Sequence, residues 1–370
     1  MYCLKGHLSV KVFSAPLRYR KHIHMKKPSI IDVAKQAGFS TATVSRALNG
    51  NTDLVSPKTC EKILHVANEM QFELRERRTS SSPRTPRKKK GHISFLVLLD
   101  PVYKEIGIPP VLLELKEGIG NAAPKGEIAT DMHLVSSNSP LPDEVLERDP
   151  LGFILVGEKP GKNLNQELMG KPCCWVLDNR FDPAWGDQIA PNHKGIGFVA
   201  TEYLAKQGCK DILSVNLGPE NHFLQLRETG MRAACKNHGI AYLKIYATQS
   251  PAALPATYPA TAYLDEITHK IKSLKKSPDG IFFDSDFSAS LLIPRLLNEG
   301  VSLEHTALVG CNNQEAYLHT LSPRPATIDI HLRTIGELAT TQLLYRIKNG
   351  LGQPRIHTFV SPSLIPSPPK

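Results

Sequence analysis

Between Ser40 and Arg46 the chain reads "STATVSR", a set of small polar residues closed by an arginine. At the exposed start of a helix, such a set suits the edges of base pairs. Arg46 can give two hydrogen bonds to a guanine, Ala42 can touch a thymine methyl, and Thr41 and Ser45 can reach bases. Ser40 and Thr43 are placed to meet phosphates. Six more cations, Arg78, Arg84, Arg87, Lys88, Lys89 and Lys90, fall in "RRTSSSPRTPRKKK" and can follow a phosphate backbone or a narrow minor groove.

A helix reads a groove only if its neighbours hold it there. Ile30, Ile31, Val33, Ala34 and Ala37 have the spacing of a short helix that ends at Gly38, where positive φ is free, and Phe39 is predicted to plug the turn. Ser40 is the expected N-cap of a second helix over 41–48, with Val44, Ala47 and Leu48 facing inward. Two short helices about a glycine turn form a helix-turn-helix. A third helix should begin at Ser56-Pro57, with Ile63, Leu64, Val66, Ala67 and Met70 closing a small core. The plain alternative is a helical hairpin with no DNA role.

Charge supports the first reading. Residues 1–90 hold 19 Lys and Arg against 6 Asp and Glu, while the remainder holds 26 against 29. A basic head on a nearly neutral body favours a polyanionic partner for the head. The 370 residues allow two or three domains. Residues 1–25 lack the apolar core of a signal peptide, so the expectation is a disordered extension or a start called too early, with Met25 as initiator. No apolar run reaches the ~18 residues of a membrane span. Seven cysteines are scattered without a C-x-x-C pair, which fits a reducing cytoplasm.

Beyond Gly91, apolar runs such as "HISFLVLL", "GFILVG", "CCWVLD", "DILSVN", "DGIFFD" and "TALVGC" alternate with amphipathic stretches. Runs that are apolar throughout predict parallel sheets covered on both faces by helices. Ligands of such sheets bind beyond the carboxyl ends of the strands. That rule selects Asp100 and Tyr103, Asp178 and Asn179, Asp284 to Asp286, and Asn312 and Asn313; any one of them could instead cap the next helix or turn.

The stretches "IIDVAKQAGFSTATVSRALNG" and "VSPKTCEKILHVANEMQF" resemble the head of the lactose repressor/galactose repressor (LacI/GalR) family of bacterial transcription regulators. "VLDN", "GIGFVATEYLAKQGCKDI", "RETG", "DGIFFDSDFSA" and "ALVGCNN" follow that family's ligand-binding core in order. The resemblance implies a helix-turn-helix head, residues 26–78, on a two-lobed α/β body like a periplasmic binding protein, residues 91–362, with a small effector between the lobes. It places Thr41, Ala42 and Arg46 at base-reading positions and Asp178, Arg227, Ser285, Asp286 and Asn312 at the effector. It puts crossings near Pro191, Thr327 to Ile330 and Asn349 to Gly352. Lobe one is then 91–190 plus 330–348, lobe two 192–328 plus 352–362, and 363–370 a tail. It also implies a homodimer.

The chain departs from the family at several points. Leu74-Arg75 replaces the Pro-Asn that opens the family's hinge helix, and serines stand where its wedge leucine is expected, so 79–90 reads as a basic flexible linker and the hinge as atypical. Such a linker can extend ~40 Å at ~3.3 Å per residue, which makes strict coupling of head and body hard. Ser285 stands where Asn is common and Asn312 where Asp is common. Pro294 is expected to break its helix. The residues 247–263 are read as an added loop.

No H-E-x-x-H, G-x-S-x-G or phosphate-loop motif occurs, so no enzyme, cofactor or metal is expected. The sequence thus predicts a cytoplasmic, sequence-specific DNA-binding regulator, a repressor by preference, that binds a pseudo-palindromic operator as a homodimer and answers to a carbohydrate-like effector. Two rivals stand beside it: a DNA-binding dimer whose body no longer senses ligand, and a solute-binding receptor.

Overall fold

A computed structural model describes residues 28–48, 55–70, 72, 90–99, 109–177, 185–217, 220–247 and 259–368. The chain divides into two units, residues 1–87 and 88–370.

In the first unit, α1 (Ile30–Ala37), α2 (Thr41–Leu48) and α3 (Pro57–Glu69) enclose a core of Val33, Ala34, Ala37, Val44, Ala47, Val55, Cys60, Ile63 and Ala67. Local chemistry sets each end. Ser29 and Asp32 form a capping box at α1, Gly38 turns the chain at φ 77°, and Ser56 caps α3 ahead of Pro57. Phe39 is half-buried against the core, with the ammonium of Lys62 5.5 Å from its ring centre. Leu64, expected inside, is 48% exposed: a helix of 3.6 residues per turn cannot aim both Ile63 and Leu64 at so narrow a core.

The second unit carries, in order, β1 (Gly91–Leu99), α4 (Pro110–Ala122), β2 (Ile128–Ser136), α5 (Asp143–Leu146), β3 (Gly152–Gly157), α6 (Lys162–Leu168), β4 (Cys173–Val176) and β5 (Asp187–Pro191). Then follow α7 (His193–Lys206), β6 (Asp211–Asn216), α8 (His222–His238), β7 (Ala241–Tyr246), α9 (Pro259–Lys272), β8 (Gly280–Phe283), α10 (Asp286–Asn298), β9 (Ala307–Cys311), α11 (Glu315–Leu318) and β10 (Ala326–Asp329). The chain closes with α12 (Leu332–Asn349), β11 (His357–Val360) and β12 (Ser363–Ile365). One six-stranded sheet has the order β11-β5-β4-β3-β1-β2 and is parallel; the other, β12-β10-β9-β8-β6-β7, is parallel except for β12 against β10. Strands such as β1 are buried along nearly their whole length, as parallel strands between helix layers must be.

The pairing corrects the lobe boundaries. Residues 357–360, assigned to lobe two, lie beside β5 in the first sheet (His357 opposite Gln188), so the last crossing falls after Val360. Residues 363–365, assigned to the tail, form a strand of the second sheet (Thr327 opposite Ile365). The physical reason is a buried clamp. Arg346 meets both carboxylate oxygens of Asp187 (3.0 and 2.5 Å) and donates to the carbonyls of Gln353 and Pro354, while Ile356 N–H also reaches Asp187. This fastens the chain after α12 to the first lobe.

Pro294 does not break α10, which runs through it to Asn298. Leu292, Ile293 and Leu296, all fully buried, hold the helix on the sheet despite the missing N–H. Part of the expected 247–263 loop is helix, since α9 starts at Pro259. Among the described residues no helix is long and apolar enough to cross a membrane.

Candidate functional sites

At the head, the site is the first turn and outer face of α2. Ser40 Oγ accepts from Thr43 N–H (3.2 Å) and shares a hydrogen bond with the Thr43 hydroxyl (2.8 Å), and Val44 N–H donates to the Ser40 carbonyl. Both hydroxyls expected at phosphates are thus engaged in starting the helix, and Thr43 is half-buried. With Val44 and Ala47 buried, Thr41, Ala42 and Arg46 are left exposed on the opposite side and Ser45 half-buried beside them. The four residues expected to read bases therefore share one short helix with a fixed N-terminus. Of the cations expected to follow phosphates, Lys90 is exposed just before β1; Arg78, Arg84, Arg87, Lys88 and Lys89 lie outside the described residues.

In the body, Asp100, Tyr103 and Asp178 also lie outside the described residues. The second sheet brings the others together at its carboxyl edge, where Asp284 to Asp286 follow β8 and Asn312 to Gln314 follow β9. Asn312 and Asn313 adopt left-handed φ of 99° and 55°, which asparagine tolerates better than other non-glycine residues. Asn312 N–H donates to the Ile328 carbonyl (2.8 Å), and the Asn313 side-chain amide donates to Asp329 (3.1 Å).

Asp286, expected at the effector, is closed off from solvent. It is fully buried, Oδ1 accepting from the Thr327 hydroxyl (2.8 Å) and Oδ2 from Gln314 N–H (2.7 Å), so it ties β10 and the β9 loop to the start of α10. Burial pushes its carboxyl up to about 7 against those hydrogen bonds. Ser285, half-buried, is the N-cap of α10, its Oγ accepting from Ser288 N–H (3.1 Å). Asn312 remains half-buried at the strand end.

Arg227 on α8 is placed by a close helix crossing. A Cβ added to Gly197 would lie 1.9 Å from the Arg227 carbonyl, and one added to Gly230 would lie 1.9 Å from that of Lys194, so α7 and α8 touch backbone to backbone. Arg227 is 6% exposed; its Nη1 donates to the Asp284 main-chain carbonyl (2.5 Å) and its Nε to His193 Nδ1 (3.4 Å). Arginine only donates, so Nδ1 is unprotonated and Nε2–H donates to the Leu177 carbonyl (3.0 Å). Burial, with Arg227 adding to it, pulls the His193 imidazole down to about 3, keeping the ring neutral. Leu177 ends the β4 segment of the first lobe with φ 69° and directly precedes Asp178. His193 therefore links the two lobes at the residues chosen for ligand. The sequence reading missed it, although Asn192, which caps α7 through Gly195 N–H, signals where that helix starts.

The remaining chemistry is subdued. Burial pushes the thiols of Cys173, Cys174 and Cys311 up, Cys311 to about 12, so none is a thiolate at neutral pH. Among the described residues no group of three or more His, Cys, Asp or Glu is arranged to hold a metal.

Comparison with known proteins agrees with this division. Residues 29–73 match the model of bacterial regulatory proteins of the lacI family, and residues 201–366 match that of the periplasmic binding protein-like domain; together they cover more than half of the chain. The chain is similar to the HTH-type transcriptional regulator GntR of Pseudomonas aeruginosa, 24% identical over 331 residues (86% of this chain, 89% of that one). It is also similar to the HTH-type transcriptional repressor MelR of Bacillus subtilis, 23% identical over 346 residues (91% and 95%). Among solved structures, the transcriptional regulator CelR in complex with cellobiose superposes with a TM-score of 0.59 at 20% identity, over 92% of this chain and 99% of that one. With a lacI-type head followed by a periplasmic-binding-protein-like body, the chain belongs to the LacI/GalR family of transcription regulators.

Proposed function

We propose that the chain is a repressor that acts as a homodimer, each α2 reading one half of a pseudo-palindromic duplex, and that a small carbohydrate in the body's cleft sets its affinity for DNA. The observation that carries the reading is the sidedness of α2: Thr41, Ala42 and Arg46 are exposed while Val44 and Ala47 are buried. One such helix reaches only a few bases, so useful specificity needs two. The amides, hydroxyls and arginine at the second sheet's carboxyl edge suit a polyhydroxy ligand, and the similar CelR structure is a complex with cellobiose. MelR, a relative over most of the chain, is named a repressor. The ligand acts by binding one arrangement of the protein better than another.

A second reading, a DNA-binding dimer whose body senses nothing, is favoured by Asp286, whose two oxygens are both given to the protein. The test of the main reading is selection from a random duplex pool by the protein from Met25. A palindrome of fixed half-site spacing is expected. Arg46→Ala should cost ~1–3 kcal/mol and relax one base pair of that sequence. Equal weakening on every sequence would move Arg46 to a phosphate, and no enriched sequence at all would end the proposal.

A further inference from the structure

Asp284 Oδ1 is buried without a hydrogen-bond partner, in contrast to the fully bonded Asp286 two residues on. An orphaned buried acceptor costs about 1–3 kcal/mol, and folded chains rarely keep one without a reason. Asp284 stands at the carboxyl end of β8, between β6 and β9, where parallel sheets take their ligands. Its main chain is committed on both sides, N–H to the Val215 carbonyl (3.0 Å) and carbonyl to Arg227 (2.5 Å). The backbone is thus held still and an oxygen of the side chain is left over.

The cation beside it, Arg227, is held in place as well. Arg227 gives Nη1 to the Asp284 main-chain carbonyl and Nε to His193. Burial pushes the Asp284 carboxyl up, with Ser288 and Arg227 opposing that shift.

We infer that Asp284 is the acid that reads the ligand in this cleft, Oδ1 accepting a hydroxyl of a neutral polyhydroxy molecule seated beside Arg227. This rests on the effector reading above. A hydroxyl fits better than an ammonium group, because a cation would be brought next to Arg227. It donates equally well whether the carboxyl is ionised or neutral, since Oδ1 keeps a lone pair in both states. Ser285 and Asn312 then border the ligand, while Asp286 braces the loop from beneath.

The experiment is thermal unfolding of the full chain and of Asp284→Leu and Asp284→Ala, alone and with excess cellobiose, ribose, glucose or glucosamine. Without sugar, both variants should melt no lower than the wild type, or ~2–4 °C higher, because removing an unpaired buried acceptor relieves a cost. With whichever neutral sugar stabilises the wild type, the variants should lose most of the shift. Variants that melt several degrees lower without sugar, or that keep the full sugar shift, overturn the assignment of Asp284 while leaving the effector reading standing. A shift with glucosamine but not glucose overturns the hydroxyl in favour of an amine. A wild type that answers no sugar sinks the effector reading itself, and this inference with it.

Discussion

His193 and Asp286 make opposite predictions for stability against pH. A histidine whose imidazole is pulled from 6.5 down to about 3 refuses in the folded state a proton that the unfolded chain accepts, so its contribution is lost as pH falls from about 6.5 toward 3. An acid pushed from 3.8 up to about 7 keeps in the folded state a proton that the unfolded chain releases, so its contribution is lost as pH rises through about 7. Each slope is about 1.4 kcal/mol per pH unit, and between pH ~4 and ~6.5 the two cancel. Removing either one exposes the other. Asn presents one donor and one acceptor, as a neutral Asp286 would, and so can keep Thr327 and Gln314 in place. Relative to wild type, Asp286→Asn should therefore be near neutral at pH ~4 and gain up to about 4 kcal/mol by pH ~8. His193→Gln should move the other way, its difference from wild type growing more favourable by about 3 kcal/mol as pH falls from ~7 to ~4. Urea unfolding followed by the fluorescence of Trp175 and Trp185, both in the body, measures each difference pH by pH. Asp286→Asn and wild-type curves that run parallel from pH 4 to 8 would refute the buried-acid account; parallel His193→Gln curves would refute the neutral interlobe bridge.

Two further changes probe the frame around the cleft. Arg346→Met should destabilise the body by ~3–5 kcal/mol in urea unfolding, because it leaves the Asp187 carboxylate buried without its cation. The double variant Arg346→Met/Asp187→Asn should recover much of that loss, and no recovery would mean that packing rather than charge holds β11. Gly230→Ala puts a methyl 1.9 Å from the Lys194 carbonyl and must separate α7 from α8. A cost of ~1–3 kcal/mol is expected, together with weaker ligand response, since His193 and Arg227 sit on those two helices. Unchanged melting would show that the crossing yields freely.

The head was legible in the sequence because its signals are local. Ser29 with Asp32, Gly38, Ser40 and Ser56-Pro57 each fix a helix end through bonds spanning three or four residues. The core strands were legible for a related reason: a run such as "HISFLVLL" is apolar on both faces whatever it packs against. β5 hides from the same rule, because "DQIAP" buries an acid whose partners, Arg346 and Ile356, lie more than 150 residues on. At the sheet edges, β11 alternates between exposed and half-buried positions and β12 has no fully buried residue, so neither carries much apolar pattern. At the cleft, position along the strand was readable but direction was not. Asp284 and Asp286 are separated by one residue, yet one leaves an oxygen unpaired and the other is bonded from two sides. Which does which depends on Thr327 and Gln314, set by a strand the sequence barely marks.

That division of labour also bears on how ligand choice can change. Asp286, Thr327, His193 and Arg227 are each held by two or more protein groups, so altering any of them loosens a loop or an interlobe contact. Asp284 is tied to the fold by its main chain and leaves side-chain Oδ1 unpaired, so a substitution there keeps the backbone bonds to Val215 and Arg227. On the reading proposed above, such a site couples stability to its scaffold residues and ligand identity to an oxygen that the scaffold leaves unpaired. Changes of effector among similar bodies should therefore concentrate at the position of Asp284 and its exposed neighbours. The Asp286 position should tolerate Asn, its neutral mimic, better than a residue such as Leu that can neither accept from Gln314 nor meet Thr327.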